Sequence, residues 1–289
     1  MKKTNIDNLT IIKNYLKWVP ISLCIREVTR IVALSRIEEL EKNLNSKTKI
    51  LDVGCGDGKL WQIMGLSKNF DITGIDISKN EIDLAKNLIN ANCIDITSEN
   101  LKNKIGDNYN IAIGNCSLEH IKDIHKAFTN INELLAPDGI FILILPTPDW
   151  VLKTNLMKAM ENISPRLAMS FSGLINGFFQ HWHLYHYSVW KELLINCGFR
   201  LKKAYGLGTK RSMNIFWLFL PLSFFSFIIK IISNRYLIFY LKFLIPDFIF
   251  NFFARIIDNS LEKEMVSADD EKIFEYLIIC DKINEIKPL

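Results

Sequence analysis

A short apolar run ending in three alternating glycines constrains this chain more than any other feature. Lys49-Ile50-Leu51-Asp52-Val53 leads into Gly54-Cys55-Gly56-Asp57-Gly58. Such a run predicts a buried strand entering a tight turn, and Leu60 to Met64 predicts the start of the helix that follows. Backbone amides at a strand-to-helix turn approach a polar or anionic ligand closely only where side chains are absent, and Gly54, Gly56 and Gly58 provide that clearance. The next apolar run, Asp71 to Asp76, closes on a carboxylate about twenty residues further along, where it can accept both hydroxyls of a ribose. A dinucleotide fingerprint needs G-x-G-x-x-G. Here the spacing is G-x-G-x-G and Lys59 stands at the last glycine position, which disfavours a dehydrogenase.

The same alternation continues downstream. Asn110 to Gly114 and Ile140 to Leu145 predict further strands, and Asp123 to Leu135 predicts a helix stopped by Pro137-Asp138-Gly139. Ser78 is placed to cap a helix over Asn80 to Leu88. Apolar residues at helical spacing, with Pro20 as punctuation, predict helix from Asn8 to Asn45. Strands alternating with helices at these intervals imply a mostly parallel sheet covered on both faces.

Taken together these segments resemble the class I S-adenosylmethionine-dependent methyltransferases. Ile50 to Gly58 is similar to that family's first motif, and Asp76 to its ribose-binding acid. Asp95-Ile96 resembles the pair beside the adenine. Asn115-Cys116-Ser117-Leu118-Glu119-His120-Ile121 resembles the segment after the fourth strand in the small-molecule branch that includes ubiquinone-precursor methyltransferases. Leu134 to Gly139, His186 through Phe199 and Tyr276 to Ile279 resemble the branch's later turn, helix and final strand. Two departures are Asp138, where that turn carries glycine, and Asn110, where aspartate is commoner. The resemblance implies a Rossmann-like, seven-stranded, mostly parallel α/β sheet whose last strand runs antiparallel between the fifth and sixth, with N-terminal helices. It implies S-adenosylmethionine as cofactor, held by Asp52, Gly54, Cys55, Gly56, Gly58, Asp76, Ile77, Asp95, Ile96 and Asn115, and no metal. It also points to His186 as the histidine nearest the chemistry.

Histidine suits proton transfer near neutral pH. Three of the five histidines cluster in His181-Trp182-His183-Leu184-Tyr185-His186. His186 and His120 are the candidate catalytic residues; the same rings would equally serve as packed, hydrogen-bonded parts of a lid. A zinc reading of the cluster is disfavoured, because no acidic or cysteine ligand sits at useful spacing in the sequence.

Between the sixth strand and the last lies an apolar, aromatic-rich stretch, Ile215 to Ile229 and Tyr236 to Ile257, interrupted by Pro221, Lys230 and Pro246. The first block falls short of the roughly twenty residues a spanning helix needs. Between Arg200 and Arg255 the basic residues Lys202, Lys203, Lys210, Arg211, Lys230, Arg235 and Lys242 face Asp247 alone. Apolar surface with one-sided positive charge fits an anionic leaflet, so an in-plane membrane anchor is expected over a transmembrane hairpin, a buried extension or a dimer interface. The expected organisation is an N-terminal helical cap (1–48), a methyltransferase domain (49–206 and 270–289) and a hydrophobic helical insertion (207–269).

The net charge of +4 is too mild to point to nucleic acid. Six scattered cysteines without a C-x-x-C pair predict reduced thiols, and no secretory signal is visible. The expectation is therefore a cytoplasmic enzyme, peripheral at the inner face of the membrane, that methylates an oxygen of a lipid-linked or hydrophobic small molecule. The competing readings are a soluble small-molecule methyltransferase that dimerises through the insertion, and a cofactor-binding scaffold without catalysis.

Overall fold

The computed structural model describes residues 8–37, 48–64, 70–261, 266–270 and 272–283. The part of the expected N-terminal helix over 38–45 lies outside them, as do the outer ends of the cap and of the C-terminal segment.

Eight strands form one sheet in the order β3-β2-β1-β4-β5-β8-β6-β7. They are β1 (Lys49–Val53), β2 (Asp71–Asp76), β3 (Asn90–Cys93), β4 (Tyr109–Asn115), β5 (Leu135–Pro146), β6 (Phe199–Leu207), β7 (Val266–Ser267) and β8 (Glu275–Lys282). β8 runs antiparallel between β5 and β6, as expected. The eighth strand, beyond the seven expected, is the two-residue β7 on the edge of β6.

Both faces of the sheet are buried because its strands carry apolar residues at successive positions. Side chains alternate across a strand, so Ile140, Ile142 and Ile144 enter the core on one face and Phe141, Leu143 and Leu145 the core on the other. The first core is closed by α1 (Asn8–Leu16) and α2 (Ile21–Leu34), with Pro20 in extended conformation between them. The second is closed by α6 (Ile124–Leu134) and α9 (Tyr187–Asn196). Between the strands run α3 (Lys59–Ile63), α4 (Lys79–Ala85) and α5 (Leu101–Ile105). The Ser78 side chain caps α4 through the Glu81 amide, and Asp123 caps α6 through that of Lys126.

One local expectation shifts. Helix α6 ends at Leu134, and the chain enters β5 at once, with Leu135 opposite Tyr109 and Ile140 opposite Ile111. Pro137-Asp138-Gly139 thus bulges out of a strand already under way: buried Leu135 starts the pairing, and the register with β4 shifts across the bulge.

The segment before α9 contributes α7 (Asn155–Ile163) and α8 (Pro165–Phe178), and the apolar stretch forms α10 (Lys210–Ser233), α11 (Leu237–Leu241) and α12 (Asp247–Asp258). Helix α10 begins with a capping box between Thr209 and Ser212 and runs through Pro221. At 24 residues it is about 36 Å long, which corrects the expectation of a segment too short to span. By length and composition it is the one helix among the described residues long and apolar enough to cross a membrane. It packs along α2, where Ser22 and Ser223 share a buried 2.6 Å hydrogen bond. Its other side stays open: Leu218, Leu222, Phe225, Ile231 and Ile232 are exposed, as are Phe243, Leu244, Phe248 and Phe252 beyond it.

Candidate functional site

Ligands of open α/β sheets bind outside the carboxyl ends of the strands, where the strand order reverses. Here the order reverses between β1 and β4, and a cleft of about 940 Å³ opens there. Gly54, Asp76, Asp95, Ile96, Ser117 and His120 are on its walls.

The glycine turn and the tip of β2 are built as a unit. Asp76 accepts hydrogen bonds from the Gly56 amide at 3.0 Å and the Ser78 amide at 2.8 Å. Each carboxylate oxygen keeps further acceptor capacity, so the group is oriented by the backbone and open to the cleft. A side chain on Gly54 would collide with Ser117, whose hydroxyl donates to the Val53 carbonyl. Gly54 therefore allows β4's continuation to close over the end of β1. Gly56 faces open space, as a ligand cradle requires. Gly58 does not face the cleft: a side chain there would press on Ala85 and Ile89, so its role is to seat α4.

The remaining expected cofactor residues divide. Ile96 is buried, with its carbonyl held by Asn130, and it lines the cleft beside exposed Ile77 and Asp95. Asp95 accepts from the Thr97 amide and hydroxyl. Asp52 and Cys55 do not reach the wall. Asp52 lies beneath the turn and accepts from the Trp61 indole at 2.6 Å. Burial pushes its carboxyl up to about 7, against the pull of that hydrogen bond. Burial likewise raises the Cys55 thiol far above its ordinary range. Asn115, at the end of β4, is also off the wall, yet its Oδ1 is buried without a partner.

The histidines are sorted by the fold. His186 is the exposed residue at the start of α9 and does not line the cleft. His120 does. The amides of Trp182 and His183 donate to the Glu119 carbonyl, and His183 Nε2 lies 2.9 Å from the Ile121 carbonyl. These bonds lay His181 on His120, with ring centres 5.2 Å apart. Burial and the neighbouring His120, Arg26 and Arg30 lower His181 to about 3, so it is neutral at physiological pH.

Glu119 is the residue that sequence spacing missed. It is 1% exposed, its Oε2 has no hydrogen-bond partner, and burial raises its carboxyl. Ligand atoms of Glu119, His120 and His181 all lie within 4.8 Å of one another, a set with the chemistry to hold a divalent cation. The acid that looked absent from the histidine cluster comes from about sixty residues earlier, brought in by the backbone bonds just described. Thr147 Oγ1, after β5, is a further buried polar atom without a partner at this strand edge.

Helix α2 braces the same edge. Arg26 and Arg30 both bind Glu275 at the start of β8. Burial opposes that charge, but the Arg30 and Arg26 guanidiniums hold the carboxyl down at about 2. Arg26 also lies over the Trp150 ring at 4.8 Å. Trp150 packs on His181 and on Phe216 of α10, so aromatic rings run unbroken from the cleft to the apolar helices.

The cleft passes the test for a sulfonium nucleoside. Its volume suits a small-molecule cofactor, its acid is oriented at a strand tip, its side wall includes Ile75, Ile94 and Ile96, and no atom fills the space before Gly56. A family model described as a methyltransferase domain matches residues 25–204. The ubiquinone biosynthesis O-methyltransferase of Rickettsia prowazekii is 34% identical over 115 residues, which is 37% of this chain and 44% of that protein. The chain thus spans about half the length of the curated relatives it matches. A sarcosine dimethylglycine methyltransferase structure from Galdieria sulphuraria superposes with a TM-score of 0.53 at 14% identity, covering 89% of this chain and 85% of that one. The [4+2]-cyclase SpnF superposes with a TM-score of 0.53 at 17% identity, covering 88% and 81%. A cyclase among the neighbours means that the fold alone does not specify the reaction.

Proposed function

The chain belongs to the class I S-adenosylmethionine-dependent methyltransferases, with S-adenosylmethionine as its cofactor, and from that premise we propose that the protein methylates an oxygen of a hydrophobic or lipid-linked acceptor at a membrane surface. The observation that supports this reading is the ring path that joins His120, His181, Trp150 and Phe216, from the cofactor cleft to the buried side of α10, whose outer side carries exposed apolar side chains.

S-adenosylmethionine supplies a methyl group already activated on a sulfonium, so the protein's work is chiefly alignment. Asp76 would hold the ribose, while Ile75, Ile94 and Ile96 would shelter the base. The orphan Oδ1 of Asn115 is free to receive a hydrogen bond from the amino-acid end. His120, with Glu119 3.7 Å away and His181 stacked against it, is the cleft-side group suited to take a proton from an acceptor hydroxyl. The exposed His186 is less well situated for that role than its motif suggested.

Residues 207–269 would serve as the attachment to the inner leaflet, with basic side chains such as Arg235 and Lys242 near the lipid phosphates. A family member of this kind acts where its acceptor dissolves, and an acceptor dissolved in lipid requires apolar access beside the cleft. The deciding experiment supplies methyl-labelled S-adenosylmethionine to the protein with a membrane lipid extract and, separately, with the aqueous extract. Label in an organic-soluble product is expected. Label confined to the aqueous pool would replace this reading with that of a soluble, dimerising enzyme, and cofactor binding with no transfer to either pool would favour a scaffold.

A further inference from the structure

A second hollow, of about 460 Å³, lies at the same sheet edge but beside β6 and β8, away from the cofactor cleft. Lys153, Lys158, Lys210 and Lys272 line it, together with Thr209 and Asp270. They come from the loop before α7, from α7 itself, from the first turn of α10 and from the turn before β8, so no local charge run in the sequence produces the cluster.

These ammonium groups are poorly neutralised. Lys153 has Asp149 at 3.8 Å and donates to the Ile273 carbonyl. Among the described residues no carboxylate lies within 4.0 Å of the ammonium of Lys158, Lys210 or Lys272. Among the described residues Asp270 is the one acid on the wall, and its Oδ1 accepts the Lys272 amide. The N-terminus of α10 adds its partial positive charge at Lys210. Like charges around one hollow repel until an anion occupies it. Lysines act on phosphate as point charges, whereas planar carboxylate recognition favours arginine, which is absent from the wall among the described residues.

We infer that this hollow is a binding site for a phosphate or diphosphate group, supplied by the headgroup of an anionic membrane lipid. The lipid source rests on the membrane reading above; the phosphate site does not. The surroundings favour the lipid. Lys158 stands on α7 between Leu156 and Ile163, both exposed. Lys210 leads α10, whose exposed apolar row begins at Leu218, about 12 Å along the helix. A phosphate held among the lysines would leave acyl chains to run along that row.

The test compares the full chain with K158Q/K210Q/K272Q and with a charge-matched control, K86Q/K104Q/K191Q, which alters exposed lysines elsewhere. Binding is measured to vesicles of phosphatidylcholine alone, to vesicles with one fifth phosphatidic acid, and to inorganic diphosphate by calorimetry. The hollow variant should bind the acidic vesicles about 100-fold more weakly than wild type and lose diphosphate binding, while the control stays within a few-fold of wild type and all three retain S-adenosylmethionine. Diphosphate binding lost in the hollow variant, without any vesicle binding by wild type, would keep the phosphate site, assign it a soluble source and remove the membrane reading. Equal losses in the hollow variant and the control, or no loss in the hollow variant, would overturn the site.

Discussion

The cofactor edge of the sheet and the face formed by α10 to α12 treat polar and apolar groups in opposite ways. At the sheet edge, charged and polar groups are buried: Glu275 between two arginines, Asp52 under the glycine turn, Glu119 behind His120. On the helical face, large apolar groups stand in water, with Ile231 81% and Phe243 87% exposed. Each arrangement costs free energy in an isolated soluble chain. Buried acids at the strand ends are costs a binding site carries because ligands need oriented charges. An exposed aromatic face is the cost a surface carries when its usual neighbour is apolar.

The largest expected effect breaks the polar side of this contrast. Glu275→Gln leaves Arg26 and Arg30 buried with their shared negative charge removed, and should cost about 3 kcal/mol of stability at neutral pH, measured by urea unfolding. The sign with pH follows from the depressed carboxyl. Its contribution is complete above the unfolded value, about 4.3, and is lost as pH falls through about 2. Wild-type stability should therefore decline in that window while the variant's profile is flatter; parallel profiles would mean the ion pairs do not carry the charge linkage.

A smaller change tests the cleft itself. Asp76→Ala should weaken S-adenosylmethionine binding by about 2 to 3 kcal/mol, roughly 30- to 150-fold, by calorimetry. Unchanged affinity would contradict the assignment of the ribose to the β2 tip. The smallest effect on folding is expected across the molecule. Phe243→Ser should alter stability by less than about 0.5 kcal/mol, yet reduce partition into vesicles about tenfold. Marked destabilisation instead would mean that the side chain is covered within the protein's own assembly.

The outcome at particular residues shows what could be read from the chain. The glycine turn, the carboxylate at the end of β2 and the alternation of strands with helices were legible because they are local: a strand, a turn and a capped helix are specified within a few residues. Glu119 and His181 were not legible as partners, since backbone bonds across about sixty residues join them. Likewise His186 matched a motif but is exposed, because a helix start sets where its side chain stands and a pattern of letters does not.

Periodicity and the spacing of small and acidic residues by themselves determined the α/β class and the glycine turn with its carboxylate-tipped second strand, since these follow from short-range sterics and from apolar runs that must be covered on both sides; the antiparallel last strand was implied by family resemblance alone. Tertiary structure alone decided which histidine meets an acid, that Gly58 seats a helix while Gly56 faces open space, and that four distant lysines surround one hollow. Those facts depend on distances between segments far apart in the chain, which only packing of the finished fold determines.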